Sequence, residues 1–275
     1  MPLLHRRCLA ILAVLAGALT SSGTAHGQTQ GNELRWNPVV DLTVINLGAA
    51  MWIGTQTWEG SLVPATCRWC GVDPLDLDIR RALVWHHPAT ANVLSDVGAF
   101  ALLPAAAVGL EALAASHDGA GHRVPVDVGI VAEATVLAAD VNAVTKVLVG
   151  RERPDVHALS PEEKARTPRR TDDNLSFFSG HATEAFALAT SAGTVASLRG
   201  YRWAPVVWSA GLPLAFATAY LRIAADRHWF TDVAVGTIVG AGLGVGIPCV
   251  FHRADPVRAA PAPSGVRMAS FSFAW

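Results

Sequence analysis

Five apolar stretches, near residues 93–115, 125–150, 181–198, 203–222 and 229–251, dominate this chain. Each has close to the roughly 20 residues that carry a helix across a bilayer. An earlier stretch, 38–57, is apolar around Asp41 and Asn46 and suits a buried or interfacial helix. Charged residues make up only 16% of the chain, against about 25% in an ordinary soluble domain. Alanine and glycine abound among the apolar residues, and small residues let helices approach closely. The expectation is an all-α, membrane-embedded bundle of about six helices. Glu111, Asp127, Glu133, Asp140 and Glu184 fall inside these stretches. In a membrane they must face the bundle interior. A soluble all-helical domain with the same core also fits the pattern.

The ends of the chain read differently. His5, Arg6 and Arg7, an apolar run from Cys8 to Leu19, and Ala25-His26-Gly27 form the pattern of a cleavable export leader over 1–27. An uncleaved anchor is the other reading. Residues 28–92 form an extracytoplasmic segment carrying the interfacial helix, 93–251 the helical core and 252–275 a tail. The tail closes on Met268–Trp275, whose alternation resembles one barrel strand, but one strand cannot close a barrel. Cys67 and Cys70, in Cys-Arg-Trp-Cys, read as a local disulfide in an oxidising compartment. No second cysteine pair completes a zinc site, and no metal is expected. A formal net charge of −1 shows no nucleic-acid footprint.

Three clusters at the ends of the apolar stretches carry chemistry: Lys146-Val-Leu-Val-Gly-Arg-Glu-Arg153-Pro154, Ser176-Phe-Phe-Ser179-Gly180-His181, and Arg222-Ile-Ala-Ala-Asp-Arg-His228-Trp-Phe-Thr-Asp232. If the helix continued, Lys146 and Arg153 would share one face, about 10 Å apart along the axis. Ser179-Gly180-His181 opens a helix whose free N–H groups make an anion site. Asp232 follows His228 by four residues, so on a helix it could accept the Nδ1–H and leave Nε2 free to attack. Alternating crossings bring all three clusters to one side. Three cations, a hydroxyl, backbone donors and two histidines fit a tetrahedral phosphate in in-line displacement.

These clusters resemble the three motifs of the type-2 phosphatidic acid phosphatase superfamily: Lys-x6-Arg-Pro, Pro-Ser-Gly-His and Ser-Arg-x5-His-x3-Asp. The resemblance covers residues 146 to 232. It implies an acid phosphatase/vanadium haloperoxidase-like core. It also implies that Lys146, Arg153, Arg222, Ser179 and Gly180 hold phosphate. By the same resemblance His228 attacks phosphorus, Asp232 orients it and His181 protonates the leaving oxygen, with no cofactor. Phe178 stands where the motif has proline, and Leu221 where it has serine. Both departures bear on substrate preference more than on catalysis.

The expected activity is hydrolysis of a lipid phosphomonoester or diphosphate in the bacterial cell envelope. The expected location is the inner membrane, with the site facing the periplasm and membrane lipids as partners. The rival readings are a soluble periplasmic acid phosphatase of broad specificity, a vanadate-dependent haloperoxidase and a non-catalytic lipid-binding scaffold. The loop 151–178 reads as a lid whose cations serve chemistry. Trp229 and Phe230 read as interfacial aromatics, and His86, His87, His117 and His122 as loop or surface residues.

Overall fold

The computed structural model describes residues 33–63, 66–167 and 172–253. The expected leader, Cys8, Arg169, Arg170 and the tail from residue 254 onward lie outside the described residues. Among the described residues, eight main helices make the fold: α1 Pro38–Thr57, α2 Pro74–Leu83, α3 Pro88–Val97, α4 Leu103–His117, α5 Val124–Val149, α6 Gly180–Arg199, α7 Ala204–Ala224 and α8 Phe230–Ile247. A π-helical turn, Gly98–Leu102, fuses α3 to α4, and a second, Pro248–His252, extends α8. Among the described residues, β pairing is limited to single bridges, Leu34 to Arg253 and Trp69 to Arg151.

Local chemistry sets the helix ends. The Asn37 side chain accepts the N–H of Val39 and Val40, and Asp73 accepts that of Leu75. Proline follows each cap, where its missing N–H costs nothing. Gly150 and Gly200 close α5 and α6 in the left-handed region, at φ 60° and 73°.

α6 lies at the centre, packed against α4, α5, α7 and α8. Its alanines 182, 185, 189, 192 and 196 are buried. α8 meets it with Gly236, Gly240 and Gly244, one turn apart. A Cβ on Gly236 would sit 2.7 Å from the Ser179 carbonyl, and one on Gly240 would collide with the carbonyl of Thr183. The two backbones are therefore in direct contact, as small residues permit in lipid, where packing rather than water drives association. The Thr183 and Thr190 hydroxyls donate to the carbonyls of Ser179 (2.7 Å) and Phe186 (2.6 Å), so these two are satisfied within the seam.

The outer surface is apolar. Val39, Leu47, Ile53, Val108, Leu113, Phe216, Ile238 and Val250 are exposed on it. Pro38–Thr57, Pro88–His117, Ala204–Ala224 and Phe230–His252 are long and apolar enough to cross a membrane. Glu111, Asp127, Glu133 and Asp140 are buried, as intramembrane acids must be. Asp127 accepts from Arg199 Nε and the Tyr201 hydroxyl, both at 2.7 Å.

Within 58–92 lie α2 and the start of the α3–α4 helix. α1 is a helix of membrane-crossing length that packs along α5. The end of α5, the start of α6, the end of α7 and the start of α8 gather at one end of the bundle.

Candidate active site

α5 stops at Val149, and Gly150 turns the chain into an extended segment. Lys146 and Arg153 therefore do not share a helical face, contrary to the sequence expectation. Lys146 occupies the last turn of α5, and Arg153 approaches from the loop beyond. The Arg153 guanidinium donates to the backbone carbonyls of Asp172 and Arg227, each at 2.8 Å, and to the Asp172 carboxylate at 2.7 Å. Its Nη1 also lies 3.3 Å from His228 Nε2.

Ser179 is the N-cap of α6, as expected, and its hydroxyl faces the N–H of Ala182 at 3.4 Å. Asn142 on α5 fixes the preceding residue by donating to the Phe178 carbonyl at 2.7 Å. A Cβ at Gly180 would lie 3.0 Å from Asn142 Oδ1 and 3.4 Å from Lys146 Nζ. Glycine is what lets α5 and its lysine close on the start of α6.

His228 lies two residues before α8, so helical spacing does not relate it to Asp232. Asp232 Oδ2 is 3.9 Å from His228 Nδ1, too far for a hydrogen bond. Nδ1 instead meets the backbone carbonyl of Ser176 at 2.8 Å. This corrects the expected direct Asp232–His228 hydrogen bond. The carbonyl can only accept, so Nδ1 carries the proton. The guanidinium of Arg153 can only donate, so Nε2 presents its lone pair. Asp232 holds the surrounding frame: it accepts from Ser176 Oγ at 2.5 Å, Trp229 N–H at 2.9 Å and Arg151 Nη1 at 2.6 Å.

α3 supplies the other wall, from residues that sequence reasoning passed over. Asp96 Oδ1 lies 2.7 Å from His181 Nε2. Arg222, in the last turn of α7, donates to Asn92 Oδ1 at 2.9 Å and Ser95 Oγ at 2.7 Å. Asn92 Nδ2 in turn donates to Asp96 Oδ2 at 3.0 Å. The edge of the His181 ring packs against Phe100, centroids 5.0 Å apart. Two signals pointed weakly this way: the polar Asn92, Ser95 and Asp96 open an otherwise apolar stretch, and they sit one turn apart.

Arg151 is buried between two carboxylates, donating to Asp76 Oδ2 at 2.7 Å and Asp232 Oδ1 at 2.6 Å. Its guanidinium stacks on Trp69, 4.1 Å from the ring centroid. Trp69 belongs to the loop closed by a Cys67–Cys70 disulfide. Arg68 of that loop donates to the carbonyls of Val147 (3.1 Å) and Leu148 (2.9 Å) and so caps the end of α5.

The loop 151–178 is thus less a lid of catalytic cations than expected. Arg151 locks the frame, and Lys164 pairs with Glu152 at 2.7 Å. Arg153 alone among these three touches His228. Trp229 is buried, its Nε1 donating to the Glu152 carbonyl at 2.9 Å, and is no interfacial aromatic.

The charges have a clear sign. Burial, and then the facing charges of Arg153, Arg222 and Lys146, hold the His228 imidazole well below the usual histidine range. Burial alone would raise the Asp172 carboxyl, but Arg153 and Arg227 outweigh it and keep it below the usual range. The site sets Lys146, Arg153 and Arg222 around the His228 imidazole, whose Nδ1–H faces the Ser176 carbonyl and whose Nε2 faces Arg153.

The comparisons with known proteins agree. No curated protein and no solved structure matches this chain. The family model described as the PAP2 superfamily matches residues 127–256, a region that holds Lys146, Arg153, Ser179, Gly180, His181, Arg222, His228 and Asp232. The match supports a place in the PAP2 superfamily, whose fold is helical and which implies phosphatase activity.

Proposed function

We propose that this protein removes phosphate from a lipid phosphomonoester or diphosphate through a phosphohistidine on His228. The observation that carries the reading is the tautomer. Ser176 O accepts a hydrogen bond from Nδ1–H, and Nε2 is left as a lone pair beside Arg153. Nε2 attacks phosphorus in line, the bond to the leaving oxygen breaks, and His181 supplies that oxygen with a proton. Water then attacks the phosphohistidine and gives its proton to His181, which restores both histidines. Lys146, Arg153 and Arg222 stabilise the charge on the equatorial oxygens. No metal enters these steps.

A cavity of about 440 Å³ supports the lipid class. Its walls are mostly apolar residues of α1, α4 and α5, among them Ile45, Trp52, Val131 and Val136. Phe100, which packs on His181, and Glu184, one turn beyond His181, line the same cavity. A hydrocarbon chain in this slot would leave its phosphate at the histidines.

The site end carries the Cys67–Cys70 disulfide, and disulfides persist in oxidising compartments. That favours a site on the periplasmic face of a bacterial inner membrane. With α1 crossing, its start and the site lie on opposite faces.

The test is phosphate release from a panel of lipid phosphates in detergent, with and without EDTA, for wild type and His228→Ala. Release by wild type alone supports the reading. Equal release from both, or none from any substrate, overturns it.

A further inference from the structure

A second polar centre lies away from the phosphatase chemistry, where the first turn of α1, the middle of α5 and the end of α8 meet. Asp41, Glu133 and His252 each present one ligand atom there, all within 4.8 Å of one another. They are only 8%, 6% and 2% exposed. His252 Nε2 and Glu133 Oε2 lie 3.3 Å apart, and both are buried without a hydrogen-bond partner. The other ring nitrogen, Nδ1, lies 3.0 Å from the Arg35 carbonyl. That carbonyl fixes the proton on Nδ1 and turns Nε2 inward as a lone pair. Metal-bound histidines are oriented in this way. Asp41 is held as well, accepting the Asn37 N–H on Oδ2 at 2.7 Å. A cavity of about 340 Å³ adjoins the centre, lined by Arg35, Trp36, Asn37, Asp41, Phe251 and His252.

We propose that Asp41, Glu133 and His252 bind a divalent transition-metal ion, of which zinc is the type, with water from the adjoining cavity completing the shell. Two carboxylates and an imidazole match such an ion better than calcium or magnesium, which take oxygen ligands. Zinc binds these atom types at about 2.0–2.2 Å, which small side-chain rotations from the observed spacing would reach. The ion would balance two carboxylates buried in an apolar bundle. Without it, they have one imidazole between them.

The site would be structural. α1 buries only Asp41 and Gly48 among its residues, so a metal bond from Asp41 would be the firmest tether of its first turn. Ile45, Ala49 and Trp52 of α1 line the apolar cavity beside His181. The ion would thus fix one wall of that cavity without touching phosphorus.

The experiment uses the full chain without an affinity tag, purified in detergent. Metal content is measured after dialysis, and Tm is measured with EDTA and again after Zn(II) or Mn(II) is restored. We expect about one ion per chain, as a single three-ligand site provides. EDTA should lower Tm and Zn(II) should restore it, while His252→Ala and Asp41→Asn lose both the ion and the response. A wild-type protein without the ion and with an EDTA-insensitive Tm overturns the proposal, as does an ion retained in both variants. If the variants do not fold, Co(II)-loaded wild type decides. Intense visible bands of a four- or five-coordinate site support the assignment, and the weak spectrum of octahedral cobalt overturns it.

Discussion

The Ser176 carbonyl lies 2.8 Å from Nδ1 of His228, while the Ser176 hydroxyl donates to Asp232 Oδ2 at 2.5 Å. One residue thus links imidazole and carboxylate, with its backbone on one side and its side chain on the other. Asp232 acts on His228 through Ser176, and through Arg151 it anchors the segment that Ser176 belongs to.

Two substitutions separate these effects. Ser176→Ala keeps the carbonyl and loses one hydrogen bond to a charged group, worth about 1.5–3 kcal/mol. Tm should fall, while His228 keeps its tautomer and kcat declines by no more than about tenfold. Asp232→Asn leaves Arg151 facing Asp76 alone, and breaking a buried pair costs about 3–5 kcal/mol. It should lower both Tm and kcat more than Ser176→Ala does. Thermal unfolding and steady-state kinetics check the order, and a reversed order would refute the indirect coupling.

The depressed His228 sets the pH response. In the free enzyme the imidazole stays neutral to below about pH 6.5, the ordinary histidine value, so the acid limb of kcat/KM lies below that point. Bound phosphate adds negative charge and eases protonation of His228, so the acid limb of kcat should lie at higher pH than that of kcat/KM. Stability follows the same sign. The unfolded imidazole takes a proton at about pH 6.5 and the folded one only at lower pH, so His228 contributes stability above that value and loses it on acidification. A His228→Ala variant should show a shallower acid decline in Tm.

Asp96 is a positioning residue for His181. Asp96→Asn keeps the volume and removes the carboxylate 2.7 Å from Nε2. Arg222 still has Asn92 and Ser95, so substrate binding should survive. The expected result is a fall of about 10²-fold in kcat, the lower end of general acid–base contributions, with little change in KM. Asp96→Glu should recover part of the loss. A change confined to KM would assign Asp96 to binding instead.

The orientation is open to direct labelling. Asp78 is exposed on α2 at the site end, and Gly121 lies in the turn between α4 and α5 at the opposite end. A membrane-impermeant maleimide should label Asp78→Cys in intact cells and Gly121→Cys only after lysis. The opposite pattern would place the site on the inner face.

Much of this was legible in the sequence, because the apolar stretches and the three clusters are local signals. The stretches 125–150 and 181–198 match α5 and α6 closely. What failed was helical spacing carried past a helix end. Gly150 terminates α5 before Arg153, and α8 begins only after His228, so neither the Lys146–Arg153 nor the His228–Asp232 interval is helical. What was missed came from far along the chain. Asp76, Asn92, Ser95 and Asp96 reach the site only because α2 and α3 pack against α7 and α8, and no short-range pattern encodes that. Arg151 and Ser176 stood inside the quoted clusters, but their roles depend on partners more than 50 residues away.

The glycine face of α8 has a further consequence. His181 rides on α6, and Asp232, with the turn that presents His228, rides on α8. Main chain touches main chain where these helices meet, so the gap between His181 and His228 is gauged by peptide groups, with no rotamer to relax. Gly240→Ala would add little volume yet would spread the two histidines apart. Adaptation to new substrates is therefore channelled away from this seam, toward the thinly packed α1 side, where the wall of the slot can change while the reacting atoms stay in register.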